Sequence, residues 1–380
     1  MIITTSEELV RFCDALADAP YIAVDTEFMR EKRYYAQLCL VQVAYGEHAA
    51  AIDPFSQIDM APLKVLLCNP KITKVFHAAS QDLEIFFQRI GQVPTPVFDT
   101  QIAAAVCGLG EQPGYAKLVS AMLGIHVDKS SQATDWSLRP LTEQQLTYAL
   151  SDVTHLCVLY ERLVAQLAES GRTEWVREEL AALENPGRYA VVPEQAWRRI
   201  RMRNAKSKTL VVLRELAMWR EQEAMSRDTP RGWIIRDDSL LEIARNHPKT
   251  KEALARVRNL TNSTARGPDG KAMLAAVHRA LESPEDTWPK PIKSGLKLTG
   301  HEPLVALLQA LLQQRCRAHS VAPSLIIRRA DLDRIATETD PDIDALKGWR
   351  RDIFGAAALE LIAGRLALTG RDGVVVDVTL

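Results

Sequence analysis

The run Tyr21-Ile22-Ala23-Val24-Asp25-Thr26-Glu27-Phe28 (residues 21–28) joins an apolar, β-branched start to two acids two positions apart. Its first half has the composition of a core strand. Side chains alternate along a strand, so Asp25 and Glu27 project from one face, with Val24 and Phe28 on the other or at the strand end. Working outward, QLCLVQVAYG (37–46), AAAIDPF (49–55) and ITKVFHA (72–78) read as further strands of the same sheet. Helical patterns lie between and after them. Residues 80–90, SQDLEIFFQRI, open on Ser80, a capping residue type, and set Leu83, Phe86, Phe87 and Ile90 on one stripe. A second stripe, Leu146, Ala149, Leu150, Val153 and Leu156, predicts a helix from about 142 to 168. The pattern is that of an α/β domain with a mixed sheet.

The chain has 380 residues, room for two or three domains, and 47 Lys and Arg against 48 Asp and Glu give a net charge of −1. The charges are segregated: residues 1–190 carry 15 basic and 24 acidic side chains, and residues 191–380 carry 32 and 24. An acidic half of net −9 therefore precedes a basic half of net +8. No uncharged apolar run approaches the roughly 18–20 residues that span a bilayer. The start, MIITTSEELVRFCDALADAP, lacks the basic and apolar regions of a secretory leader, so a cytoplasmic protein is expected. The six cysteines form no Cys-x-x-Cys pair, which suggests neither a zinc site nor a disulfide framework.

Beyond about residue 190 the strand signal disappears and helices dominate. Ile234-Ile235-Arg236-x-x-x-Leu240-x-x-Ile243-Ala244 recurs as Ile326-Ile327-Arg328-x-x-x-Leu332-x-x-Ile335-Ala336, each copy preceded by a long amphipathic helix and a proline, Pro230 or Pro323. This predicts a duplicated helical unit, with the Pro- and Gly-rich stretch 283–300 as the linker.

The acids carry the chemistry. An acid pair on a core strand is compatible with a divalent cation, with burial beside an arginine, or with a solvated sheet edge. Asp82 falls in the first turn of the helix after strand 72–78, where the helix dipole favours its ionised form. Asp152 lies mid-helix beside the apolar stripe, and Tyr148, four residues earlier, shares its face. Taken together, four oxygen donors without a neighbouring Cys or a His-x-x-x-His pattern select Mg²⁺ or Mn²⁺ over Zn²⁺. Such a site is used in phosphodiester hydrolysis, where two ions roughly 3.5–4 Å apart activate a water and stabilise the leaving oxygen.

Asp25-Thr26-Glu27-Phe28, His77-Ala78-Ala79-Ser80-Gln81-Asp82 and Tyr148-Ala149-Leu150-Ser151-Asp152 resemble, in order, the three motifs of the DEDD superfamily of 3′→5′ exonucleases. From end to end the chain resembles the bacterial ribonuclease D family. Gln37 to Gln42, Phe98-Asp99-Thr100 and Asp135 to Leu141 add to the likeness, and the duplicated units resemble the HRDC domain shared with RecQ-type helicases. The resemblance implies a ribonuclease H-like exonuclease domain over 1–190 and two all-α HRDC-like domains over 205–282 and 300–370. It implies two ions, Asp25 bridging both, Glu27 and Asp152 completing the site of the ion that activates water, and Asp82 serving the second. Thr147 and Tyr148 place the chain in the tyrosine branch of the superfamily. A phenol with pKa near 10 is a poor base at neutral pH, so Tyr148 is assigned to orienting the attacking water.

The implied activity is 3′→5′ exoribonuclease trimming of tRNA precursors and other small structured RNAs, with release of 5′ mononucleotides. The implied actor is a monomer with no obligate protein partner and no membrane. A 3′→5′ DNA exonuclease and a non-catalytic nucleic-acid-binding module are the alternatives. An acidic site attracts a polyanion poorly, and Trp197 to Lys208 supplies Arg198, Arg199, Arg201, Arg203, Lys206 and Lys208 with no acid among them. Those six residues, with His77 and Gln81, are the candidate RNA contacts.

Overall fold

The computed structural model describes residues 1–128, 130–202, 205–291 and 300–380, so Arg203 lies outside the described residues. The chain forms two compact units. One comprises Met1–Glu27, Leu38–Tyr189 and the described residues of Leu296–Leu380; the other comprises Phe28–Gln37 and the described residues of Ala190–Gly295.

The first unit is built on a six-stranded mixed sheet of β1 (Ile2–Ile3), β2 (Tyr21–Met29), β3 (Gln37–Tyr45), β4 (His48–Ile52), β5 (Thr73–Phe76) and β6 (Val97–Asp99), in the order β1-β4-β3-β2-β5-β6. β2 is central and runs parallel to β5, with Ile22 opposite Lys74. Ile22, Ala23 and Val24 are fully buried, as expected of a strand covered on both faces. The helix Glu143–Glu169 packs on the sheet through Val153, Leu156, Leu159 and Leu163, and starts in a capping box between Thr142 and Gln145.

Strand ends depart from expectation for local reasons. The strand predicted over 49–55 stops at Ile52 because Asp53 turns to accept from the Phe55 N–H at 2.9 Å and opens a short 3₁₀ turn at Pro54. The strand predicted over 72–78 stops at Phe76 because Ala78 adopts φ +59°, the left-handed region that a Cβ disfavours. Ser80 does not cap the helix Ser80–Ile90, whose preceding residue is Ala79. The Asp99 carboxylate instead accepts from the N–H groups of Ala78 at 3.0 Å and Ala79 at 2.9 Å, which holds the strained turn and fixes where the helix begins. β1 and β6, of two and three residues, are too short to leave an alternating pattern.

The second half is mostly helical, but the expectation of no further strand is wrong. Leu366–Arg371 and Val374–Thr379 form an antiparallel hairpin around Asp372 (φ 52°) and Gly373 (φ 77°), the positive pair required by a two-residue type I′ turn. Three consecutive valines hide its alternation. The repeat, by contrast, is visible in the backbone. Arg231–Ile234 and Pro323–Ile326 are single-turn helices, each followed by an extended isoleucine, Ile235 (φ −162°, ψ 139°) or Ile327 (φ −158°, ψ 142°). Arg236 and Arg328 then start the next helix in each copy, and all ten apolar repeat residues are buried.

The stretch Asp135 to Leu141 is held by Arg139. Its guanidinium grips both oxygens of Asp53 at 2.7 Å and donates to the carbonyls of Cys39 at 2.7 Å and Trp136 at 2.9 Å. The clamp seats Trp136, 2% exposed, with its ring centroid 6.2 Å from that of Tyr148. Arg139→Met leaves the nearly buried Asp53 carboxylate unpaired, so unfolding free energy should fall by about 3 kcal/mol in denaturant titration. An unchanged midpoint would show the clamp to be dispensable.

Candidate active site

β2 carries Asp25 and Glu27 out of the core on the same face. With Asp152 from the long helix they form a cluster in which one carboxylate oxygen of each lies within 4.8 Å of the others. Asp82 stands beside this trio, not in it. It is 7% exposed, and one of its oxygens accepts from the Thr26 hydroxyl at 2.5 Å, so the residue between the two β2 acids ties the second motif to the first. The Tyr148 phenol faces Asp152 one helical turn on and favours its carboxylate form. The main-chain carbonyl of Asp152 accepts from the Tyr115 hydroxyl at 2.5 Å.

Among the described residues, none of the four acids has a Lys or Arg partner within ion-pair distance. Burial and mutual repulsion therefore govern them. Burial first, and then the Asp152 charge, pushes Asp25 up to about 7. Burial raises Asp152 to about 7 against the Tyr148 hydrogen bond. Burial followed by Asp25, Asp152 and Asp82 lifts Glu27 to about 9. Asp82 is likewise raised by burial and by Asp25. Tyr148 is pushed further above its ordinary range by burial and then by the Asp152 charge.

The residues fit a hard divalent cation. All donors are carboxylate oxygens, and one Asp152 oxygen is buried without a hydrogen-bond partner. Thr26, Asp99 and Tyr115 are supports that sequence reasoning missed as such. Asp99 lay within a family-like stretch with no role attached, and Thr26 and Tyr115 gave no local signal.

The candidate RNA contacts separate. His77 is half-buried, bonded through Nδ1 to the Thr100 hydroxyl at 3.0 Å and set edge-on to Tyr115 at 5.4 Å, with its buried Nε2 unpartnered. Gln81 is exposed at the start of its helix. In the second unit Arg198, Arg201, Lys206 and Lys208 are exposed, whereas Arg199 lies 3.7 Å from the buried Glu221. Of the basic residues in the repeats, Arg231 pairs with Glu221 at 2.6 Å, Arg328 with Asp331 at 2.9 Å and Arg350 with Glu179.

Comparison with known proteins turns this geometry into an assignment. The family model described as 3′-5′ exonuclease matches residues 1–168, and the HRDC domain model matches residues 209–277. The ribonuclease D of Gluconacetobacter diazotrophicus is 44% identical, with 98% of this chain and 95% of that protein covered. The chain belongs to the ribonuclease D family. It is a 3′→5′ exoribonuclease. The ribonuclease D of Granulibacter bethesdensis is 45% identical over 98% of this chain and 94% of its own. The crystal structure of Escherichia coli RNase D superimposes with a TM-score of 0.84 at 34% identity, covering 96% of this chain and 98% of that one. Family membership implies dependence on a divalent metal, with which the ribonuclease D acid cluster agrees. No helix among the described residues is long and apolar enough to cross a membrane.

The raised carboxyl pKa values set a direction for pH. Carboxyls that hold protons more tightly folded than unfolded stabilise the metal-free protein at low pH, and that stability is lost as pH rises through about 7 for Asp25 and Asp152. A cation reverses the loss, so Mg²⁺ should raise Tm by several degrees more at pH 8 than at pH 6. Asp25→Asn, which removes one like charge from the cluster, should raise the metal-free Tm at pH 8 and shrink the Mg²⁺ shift. Equal Mg²⁺ shifts at both pH values in scanning calorimetry would contradict this.

Proposed function

We propose that this exoribonuclease trims the 3′ ends of tRNA precursors and other small structured RNAs in the cytoplasm. In this reading it acts as a monomer without an obligate protein partner and releases 5′ mononucleotides. Its ions would be two Mg²⁺ or Mn²⁺, held by Asp25, Glu27, Asp82 and Asp152. The observation that carries the reading is the convergence of three motifs, far apart in sequence, on one carboxylate cluster, half-buried at Asp25 and Glu27 and buried at Asp82 and Asp152, with no basic partner among the described residues. Bound there, such ions would lower the pKa of water and offset negative charge at the reacting phosphate.

The protein's own groups do the rest. Thr26 holds Asp82 in one rotamer by donating to it, and Tyr115 fixes the helix at Asp152. Tyr148 stays protonated throughout the neutral range, because burial and Asp152 both oppose its ionisation. It therefore acts as a hydrogen-bonding guide for the attacking water beside Asp152 and not as a base. Residues 300–370 serve as a second HRDC-like unit, and Arg198, Arg201, Lys206 and Lys208 contribute phosphate contacts that carry no base preference.

Digestion of matched 3′- and 5′-labelled RNA and DNA oligomers, with Mg²⁺ or EDTA, tests the reading. Loss of the 3′ label as a mononucleotide from RNA, only with Mg²⁺, is the expected result; release from the 5′ end, or turnover of DNA alone, would overturn it. Tyr148→Phe should bind RNA and metal normally yet cleave about 10- to 100-fold more slowly, with Asp25→Asn slower still. Near-normal turnover by Tyr148→Phe at saturating metal would remove Tyr148 from the chemistry.

A further inference from the structure

The basic run at the entrance to the helical half divides between two cavities of different character. One, of about 390 Å³, is lined by Arg199, Arg220, Arg231 and Arg236 together with Glu221 and Asp237. Two of its cations are already matched, Arg231 by Glu221 and Arg220 by Asp237, each at 2.6 Å. The other, of about 650 Å³, has a floor of Ile200, Met202, Leu210 and Leu213, the indole of Trp197 in its wall, and a rim of Arg198, Arg201 and Lys290. No carboxylate lines it among the described residues, and none of its three cations has an ion pair among them. Trp197 is half-buried, and the Arg198 guanidinium lies 5.8 Å from its ring centroid.

An apolar floor with an aromatic wall suits a flat heterocycle, and an uncompensated cationic rim suits phosphates. The volume falls within the roughly 300–1,000 Å³ typical of small-ligand pockets. A peptide segment would match the floor and leave the rim unpaired. We propose that this cavity takes a nucleotide of single-stranded RNA, its base stacked on Trp197 and its flanking phosphates on Arg198, Arg201 and Lys290. The site rests on the reading of the chain as an RNA-acting enzyme and adds to it a holding point in the helical half. Stacking on Trp197 tolerates any base, so affinity rises without sequence preference.

The test uses the full-length chain in EDTA and the fluorescence anisotropy of two 5′-labelled twelve-nucleotide probes, oligo(A) RNA and an abasic strand with the same phosphates. Trp197→Ala should weaken oligo(A) binding about tenfold and leave abasic binding unchanged. Trp197→Phe, which keeps an aromatic face, should restore most of the affinity. Arg201→Gln should lower the slope of log K against log salt by about 0.7 for both probes. Equal losses on both probes would make Trp197 merely structural, and no loss on oligo(A) would empty the cavity of RNA; either result overturns the proposal. Trp233→Ala, at an exposed tryptophan outside the cavity, is the control and should change neither probe. Mg²⁺-dependent degradation of the same oligo(A) by the wild-type chain is scored separately, so failure of the activity and failure of the cavity are told apart.

Discussion

Three carboxyl groups drawn together where a central strand meets the long helix, with Asp82 beside them and no Lys or Arg at ion-pair distance among the described residues, are the constraint around which the first unit is arranged. Unpaired buried charge is among the most costly features a fold can carry, and the usual relief is a shifted pKa or a counter-ion. Here the metal-free protein uses the first, with Asp25 and Asp152 raised to about 7 and Glu27 to about 9. A divalent cation supplies the second. The cluster cannot relax by moving apart, because β2 is fixed between its neighbours and Asp152 is fixed mid-helix.

Supports from distant parts of the chain keep it so. Thr26 bonds Asp82, Asp99 pins the left-handed turn from which the Asp82 helix departs, Tyr115 holds the Asp152 carbonyl, and Arg139 seats Trp136 by Tyr148. Each of these side chains has a partner 21 to 86 positions away in sequence, for Arg139 the Asp53 carboxylate. That explains what could be read in advance and what could not. Strand alternation places Asp25 and Glu27 on one face, and helical spacing pairs Tyr148 with Asp152, because both are local periodicities. Thr26 to Asp82 or Arg139 to Asp53 leaves no periodic trace, so the acids were legible and their supports were not. Ser80 misled because the helix starts one residue earlier than a Ser80 cap requires: Asp99 holds the turn at Ala78 and Ala79, and Ser80 is already the first helical residue.

The duplicated segment shows the same division between backbone and use. Both copies trace the same course through Ile234-Ile235 and Ile326-Ile327, set by buried apolar positions that the sequence repeats faithfully. Their polar residues diverge. In the second copy Arg328 pairs with Asp331 and Arg350 with Glu179, while in the first the preceding basic run leaves Arg198 and Arg201 on the rim of a cavity that no carboxylate lines among the described residues. The basic excess of the second half is therefore not a uniform polyanion surface. Part of it is taken up in ion pairs, and Arg198 and Arg201 stand outside them among the described residues.

When metal-free, the carboxylate cluster is a protonated, cation-accepting site. Calorimetric titration of Mn²⁺ into the metal-free protein at pH 7, in buffers of differing ionisation enthalpy, counts the protons released on binding. Release of at least about one proton is expected, abolished together with Mn²⁺ binding in Asp25→Asn. Tight binding with no proton release would mean that the four carboxyls are already ionised and compensated, and would contradict it.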